Sequence, residues 1–256
     1  MIKFFQKIRQ NLLMENKTSR YFKYALGEIV LVVIGILIAL QINTWNDLRI
    51  AKENALAVTK RLLTETRNNK KELTSYILRV EKAKKCAFQL LKCFGKNYQK
   101  HDEFLIDSLL LGTYYVYNFD FNTAVFDKVL SSGELSNIEN DNIEVMMYQI
   151  KTLQKGYETI EKLLVQHLNE NVSPFWRDKI SMRQIDSRFS ESGKLIGDSQ
   201  LEKIDNRVIL TNRVFENIID DSYYILNSLD KRYKELNDKL SILIKKLEQT
   251  TENKND

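Results

Sequence analysis

Proline is almost missing from this chain. One proline, Pro174, and eight glycines serve 256 residues. So few breakers exclude a fold made of short elements and tight turns, and favour long helices. Strand signals are also scarce, because alternating β-branched runs bounded by turn residues do not recur. Two cysteines and two histidines stand apart without metal-ligand spacing, which leaves no zinc signature. There is no P-loop, dinucleotide glycine motif or nucleophile elbow either. No cofactor is expected, and no catalytic constellation marks the chain as an enzyme. The net charge is +5, with part of it at the N-terminus. Without a recognition motif or a basic stripe beside stacking aromatics, it gives no reason to expect nucleic acid as a partner.

One stretch differs from the rest: "YFKYALGEIVLVVIGILIALQINTW", residues 21–45. Its strictly apolar run, 29–40, is shorter than the usual span of about 20 residues. The tolerated neighbours extend it, and from Tyr24 to Trp45 a helix covers roughly 31 Å, against a hydrocarbon core of about 30 Å. Tyr21, Phe22 and Tyr24 at one end and Trp45 at the other stand where interfacial aromatics belong. A cleaved signal peptide fits poorly, because the basic region ahead is long and no small-x-small cleavage pattern follows. The expectation is a single transmembrane helix over 21–45. Lys3, Lys7, Arg9, Lys17, Arg20 and Lys23 stand ahead of its apolar part, while Arg49 and Lys52 follow it, offset by Asp47 and Glu53. The positive-inside rule then puts the N-terminus in the cytoplasm and the C-terminal domain outside it.

The leader, 1–20, is basic and amphipathic: Ile2, Phe5, Ile8 and Leu12 fall near one helical face, with Lys3, Lys7 and Arg9 over much of the remainder. That pattern suits an anionic inner leaflet. Glu28 lies only a turn inside the boundary and shares the stretch from Tyr24 to Trp45 with no Lys, Arg, His or Asp, so it reads as an interfacial glutamate rather than a proton relay. Gly35 and Ala39 form a small-xxx-small step with Gly27 on the same side. These three are candidates for helix packing in the membrane, and through it for a homo-oligomer.

The leader "MIKFFQKIRQNLLMENK" followed by "FKYALGEIVLVVIGILIALQINTWN" resembles an uncharacterised family of bacterial single-span membrane proteins. The later "FNTAVFDKVLSSGELSNIEN" is similar to a part of that family with a Ser-Gly turn near the same point. The resemblance is close over about the first fifty residues and looser beyond them. It implies a bacterial inner-membrane protein of unknown molecular function and carries over no catalytic residues.

Beyond the span the chain reads as helix after helix, an all-α domain over 46–250 with a polar tail at 251–256. In a first helix, 46–97, Thr59, Thr66, Leu73, Val80, Ala87 and Phe94 recur every seven residues. Leu62, Asn69, Tyr76, Ala83 and Leu90 fill the complementary seam, a stripe of bundle or coiled-coil type. Thr59, Thr66 and Asn69 suggest a partly solvated stalk in its first half. A second helix is expected over 102–117 and a third over 123–130, ending at Gly133, a residue suited to a left-handed cap. Asp141 and Glu144 resemble a capping box that opens the next helix, which carries Met146, Ile150, Leu153, Tyr157, Ile160 and Leu164. Residues 171–199 contain Pro174, Gly193, Gly197 and several serines, and read as an irregular segment. The last helix, 200–249, repeats Leu229, Leu236 and Leu243. Long first and last helices with shorter ones between them suggest an antiparallel bundle.

Cys86 and Cys93 share a helix face at roughly 10.5 Å, beyond the roughly 7 Å limit of a disulfide's Cα atoms. They read as separate, partly buried thiols, with an intermolecular bridge as the alternative. His101 and His167 read as structural. Phe175, Trp176 and Arg177 form the one aromatic-arginine group in the irregular segment. They are the candidate partner contact, weighed against a segment that tucks its rings onto the bundle. The reading is a membrane-anchored helical module for interaction or sensing, with the lipid bilayer and an unidentified protein as partners. The alternative is a soluble helical coiled-coil adaptor whose apolar N-terminal helix is buried.

Overall fold

The computed structural model describes residues 18–114, 118–132 and 141–252. Every regular element among them is helical, and the fold is all-α. In chain order these are α1 (Thr18–Leu91), a 3-10 turn (Tyr98–Lys100), α2 (Glu103–Thr113), α3 (Ala124–Ser132) and α4 (Asp141–His167). A π-helical turn (Leu168–Val172), α5 (Ser173–Lys179), α6 (Met182–Phe189), α7 (Glu191–Ile196), a second 3-10 turn (Asn206–Thr211) and α8 (Arg213–Glu252) follow. The face of the leader ahead of Thr18 and the cap at Gly133 lie outside the described residues. The chain divides into two compact units, Met1–Ala57 and Val58–Asp256.

In the first unit the helix carries its apolar residues on all sides, and none of its most apolar stretch is buried. Leu26, Ile29, Leu31, Leu37, Leu40 and Trp45 are all exposed. Polar helix-surface pairs resume past the run: Asn43 donates to Asp47 at 3.1 Å, and Arg49 pairs with Glu53 at 2.8 Å.

The second unit owes its core to the seven-residue repeat. Leu62, Leu73, Val80, Ala83, Ala87 and Leu90 of α1 are buried, and so are Thr59, Thr66 and Asn69. Those three polar residues belong to a closed core, not to a solvated stalk. Thr66 Oγ1 donates to the Leu62 carbonyl at 2.7 Å, which removes the cost of burying the hydroxyl. α1 ends at Leu91, sooner than the repeat suggests. Gly95 adopts a positive φ of 134°, and its N–H turns to the Leu210 carbonyl at 3.0 Å. A helix cannot continue through that backbone conformation.

α8 buries Phe215, Ile219, Leu226, Leu229, Tyr233, Leu236, Leu240, Leu243 and Leu247, the leucine stripe expected from the sequence. It starts at Arg213 rather than near residue 200. Asp205 first caps a 3-10 turn through the Arg207 N–H, and Asn212 then accepts from Phe215 N at 3.1 Å. Cross-links fix its direction against α1. Arg67 pairs with Glu248 at 2.6 Å, Glu81 with Lys234 at 2.5 Å, and Lys84 with Asp230. Phe88 meets Tyr223, and Phe94 beyond the helix meets Phe215. One partner's number rises as the other's falls, so the two helices are antiparallel. α4 meets α8 in the same sense, through Gln149 with Lys239, Tyr157 with Tyr233 and His167 with Ser222. The unit is an antiparallel helical bundle.

The segment 171–199 is helical, which corrects the expectation of irregularity. The residues that look like breakers are helix starters. Pro174 occupies the first turn of α5, where its missing N–H costs nothing. Ser181 and Ser190 accept from Gln184 N and Gly193 N to begin α6 and α7.

Candidate functional site

The chain from Asn118 to Thr123 adopts no regular secondary structure, so its backbone groups lack helical partners. Buried side chains of α1 and α4 supply them. Glu161 Oε1 accepts from Phe119 N at 2.9 Å. Asn69 holds Asn122 twice, accepting from its N–H at 3.0 Å and donating to its carbonyl at 2.8 Å. One turn earlier, the Glu65 carboxylate accepts from Val125 N at 3.0 Å and Phe126 N at 3.1 Å. Those are orphan donors of the first turn of α3, and the carboxylate meets the positive end of its dipole. Phe119 and Phe121 point inward from this strap. The Phe119 ring lies 5.4 Å from Tyr76, 5.8 Å from Tyr157 and 6.0 Å from Tyr233.

Glu161 is the centre of the arrangement. It is 4% exposed, and its Oε1 also accepts the Tyr233 hydroxyl. Tyr157 donates to the Phe119 carbonyl at 3.5 Å. Burial raises the Glu161 carboxyl above the ordinary carboxylate range, more than the Phe119 and Tyr233 donors lower it, and neighbouring Glu158 adds to the rise. Burial, then the charge on Glu161, pushes the Tyr157 phenol up, and it stays neutral. Burial, then its hydrogen bond to Glu161, does the same for Tyr233. Beside this cluster opens a cleft of about 440 Å³, lined by Phe119, Asp120, Phe121, Glu158, Glu161 and Lys162 among others. Its size suits a small ligand, and its chemistry is carboxyl, amide and aromatic.

A second polar centre ties α2, α6 and the second 3-10 turn together. Asp107 is fully buried. Its Oδ1 accepts from Asn206 Nδ2 at 2.8 Å, and its Oδ2 accepts from Gln184 Nε2 at 3.2 Å and from Arg188. Arg188 Nη2 reaches Glu103 at 3.0 Å. Both arms of Arg188 are therefore engaged by carboxylates, and the knot reads as structural, although a cleft of about 450 Å³ adjoins it.

The residues singled out from sequence fall in different places. Trp176 is 1% exposed and stacks on Tyr114 at 4.6 Å, while Phe175 stacks on Phe215 at 5.0 Å. Of the two readings weighed for this group, the exposed ring contact is corrected and the tucked one holds: the rings pack on the bundle, and of the three residues Arg177 alone is fully at the surface. Gly27, Gly35 and Ala39 are exposed, and a Cβ at either glycine would meet no atom within 4 Å. Cys86 and Cys93 are free thiols, both raised by partial burial. His167 is buried, with Nε2 at 3.2 Å from the Ile218 carbonyl and 2.9 Å from Ser222 Oγ. No group of three His, Cys, Asp or Glu that could hold a metal occurs among the described residues.

Glu65 and Glu161 were not legible as functional candidates. A signal existed for Glu161: it stands four residues after Tyr157 and three before Leu164, on the buried stripe itself, where a carboxylate needs a partner.

The model of a family described as "Family of unknown function (DUF6090)" matches residues 28–175, more than half of the chain. That range covers the apolar stretch, the strap and Glu161. No curated protein and no solved structure matches the chain.

Proposed function

Since the chain belongs to the family of unknown function DUF6090, we propose its role from its own geometry: a single-pass, membrane-anchored helical module for interaction or sensing. One observation carries this reading. The helix of the first unit is apolar on every side over its most apolar stretch, none of which is buried among the described residues, whereas the second unit has a core of its own. Apolar surface of that kind needs a solvent of its own polarity, and a stretch of roughly 30 Å matches a bilayer core. Phe22 and Trp45, both exposed, stand at its two ends. The cations ahead of it orient the N-terminus toward the cytoplasm of a bacterial inner membrane, with the bundle outside. Catalysis is not part of the reading.

Alkaline carbonate extraction tests the anchor, since a spanning helix stays in the membrane pellet. A reporter that fluoresces only in the cytoplasm, fused after Asp256, is expected to be dark, and a bright fusion reverses the orientation. Release by carbonate favours the second reading, a soluble helical coiled-coil adaptor whose apolar N-terminal helix is buried.

A further inference from the structure

We infer that the second unit pairs with a second copy of this chain through an apolar tip, formed by α7 and the segment that follows it. Leu195, Ile196, Leu201, Ile204 and Val208 are all exposed, Leu195 by 89% and Leu201 by 84%. Single exposed apolar residues are ordinary on a folded protein, whereas a group gathered in one place marks a contact surface.

The local fold explains why these side chains stay outside. α7 is six residues long and stops at Gly197, whose φ is 81°. From Asp198 to Asp205 the chain forms no helix or strand. Polar groups, not apolar burial, tie this stretch down. Arg183 donates to the carbonyls of Gly197 at 2.7 Å and Ile196 at 3.1 Å, Lys203 meets Glu103 at 3.6 Å, and Asn206 donates to the buried Asp107 at 2.8 Å. The backbone is fixed while its apolar side chains meet solvent. Beside Glu103, the exposed Phe104 lies 4.6 Å from the Phe189 ring and extends the surface.

Charge and area decide the occupant. Segment 183–208 holds as many Lys and Arg as Asp and Glu, and at the tip Lys194 and Lys203 are exposed beside Asp198 and Glu202. A two-fold axis brings a patch against itself, so each acid must find a cation on the same patch of the partner. A rim of one sign would repel its copy and select a foreign surface of the opposite sign; this rim has no such surplus. Side chains of this size expose on the order of several hundred Å² together. That is a large part of the roughly 800 Å² that each partner brings to a standard interface, and the charged rim supplies the remainder. The pairing uses residues of the second unit alone. It goes beyond the anchoring reading, does not depend on it, and is separate from helix packing at Gly27, Gly35 and Ala39.

The test is analytical ultracentrifugation of the full chain in detergent micelles across a concentration series. A dimer is expected. Leu195→Glu combined with Leu201→Glu should raise its dissociation constant at least tenfold, with an unchanged circular dichroism spectrum because both side chains are exposed. Leu78→Glu, at an exposed position of α1 outside the tip, should leave the dimer as it is. Charge reversal supplies an independent arm. A chain with Lys194→Glu and Lys203→Glu should self-associate at least tenfold more weakly, and association should return on mixing with a chain carrying Asp198→Lys and Glu202→Lys. If the leucine variant fails to fold, the charge pair decides alone. A monomeric unaltered chain overturns the pairing and leaves the tip to lipid or to a foreign protein. A dimer that survives the leucine variant overturns it as well and moves the contact to the Gly35 face, and mixing without recovery overturns the two-fold arrangement.

Discussion

Glu65, on α1, accepts hydrogen bonds from the backbone N–H groups of Val125 and Phe126, at 3.0 Å and 3.1 Å. A carboxylate 7% exposed thus begins a helix sixty residues further along the chain. Glu65→Ala leaves two buried donors without an acceptor and should lower stability by about 3 kcal/mol. Glu65→Gln keeps an acceptor but loses the charge at the helix terminus, and should cost about 1 kcal/mol. Equilibrium urea unfolding followed by circular dichroism checks both. Equal effects of the two substitutions would show that charge, not hydrogen-bond satisfaction, decides.

Leu236 is fully buried on the α8 stripe between Leu229 and Leu243. Leu236→Asp places an unpaired charge in the seam and should destabilise by about 4 kcal/mol. An unchanged thermal midpoint would mean that this face does not pack.

The stripe of α8 and the seams of α1 were legible because a buried helix face needs apolar residues at fixed spacing, and both helices run long enough to repeat it. What periodicity could not supply was the destination of polar groups. Asn69 sits in the seam as a weak heptad residue, yet it holds the Asn122 backbone with two bonds, a contact fifty-three positions away that no local pattern encodes. Segment 171–199 misled for a related reason. Pro and Ser mark the first turn of a helix as readily as they mark a loop, and short helices carry too few turns to display a period. The packed Trp176 was one of the two readings the sequence left open, and a helical α5 decides it by turning the indole inward.

Gly112 of α2 lies against Cys86 of α1. A Cβ at Gly112 would overlap Cys86 Sγ and come within 3.0 Å of Cys86 Cβ. Gly112→Ala should therefore cost about 2 kcal/mol through overpacking. In a Cys86→Ala background the sulfur is gone, so the same change should cost at least 1 kcal/mol less, a coupling that a double-mutant cycle in urea measures. Additive costs would place the clash elsewhere.

His167 makes the bundle sensitive to acid. Burial lowers its pKa from 6.5, against the raising effects of the Ile218 carbonyl and Asp221. Nε2 faces a carbonyl and carries the proton, which leaves Nδ1 to accept from Asn171 Nδ2 at 3.3 Å. The folded state therefore binds fewer protons than the unfolded chain below about pH 6.5. The stabilisation is full above that pH and is lost as the pH falls toward the lower folded value, by up to about 1.4 kcal/mol per pH unit. Glu161 acts in the opposite sense: its carboxyl is raised above 4.5, so its contribution is lost as the pH rises. The stability difference between the unaltered chain and His167→Gln cancels the Glu161 contribution and should shrink between pH 6.5 and pH 5. A constant difference would mean that His167 titrates normally.

Trp176 separates packing from hydrogen bonding within one side chain. It is among the largest fully buried residues, and its Nε1 has no hydrogen-bond partner among the described residues. Trp176→Ala removes the ring that stacks on Tyr114 and should cost about 4 kcal/mol. Trp176→Phe keeps most of the aromatic surface and deletes a buried donor that had no acceptor. The gain from losing that donor offsets part of the lost volume, so the cost should stay below about 2 kcal/mol. Thermal unfolding of the two variants beside the unaltered chain tests this. Comparable losses in both would mean that the indole N–H is satisfied in solution. Negligible loss in both would take Trp176 out of the core and return it to the surface as a contact beside Arg177.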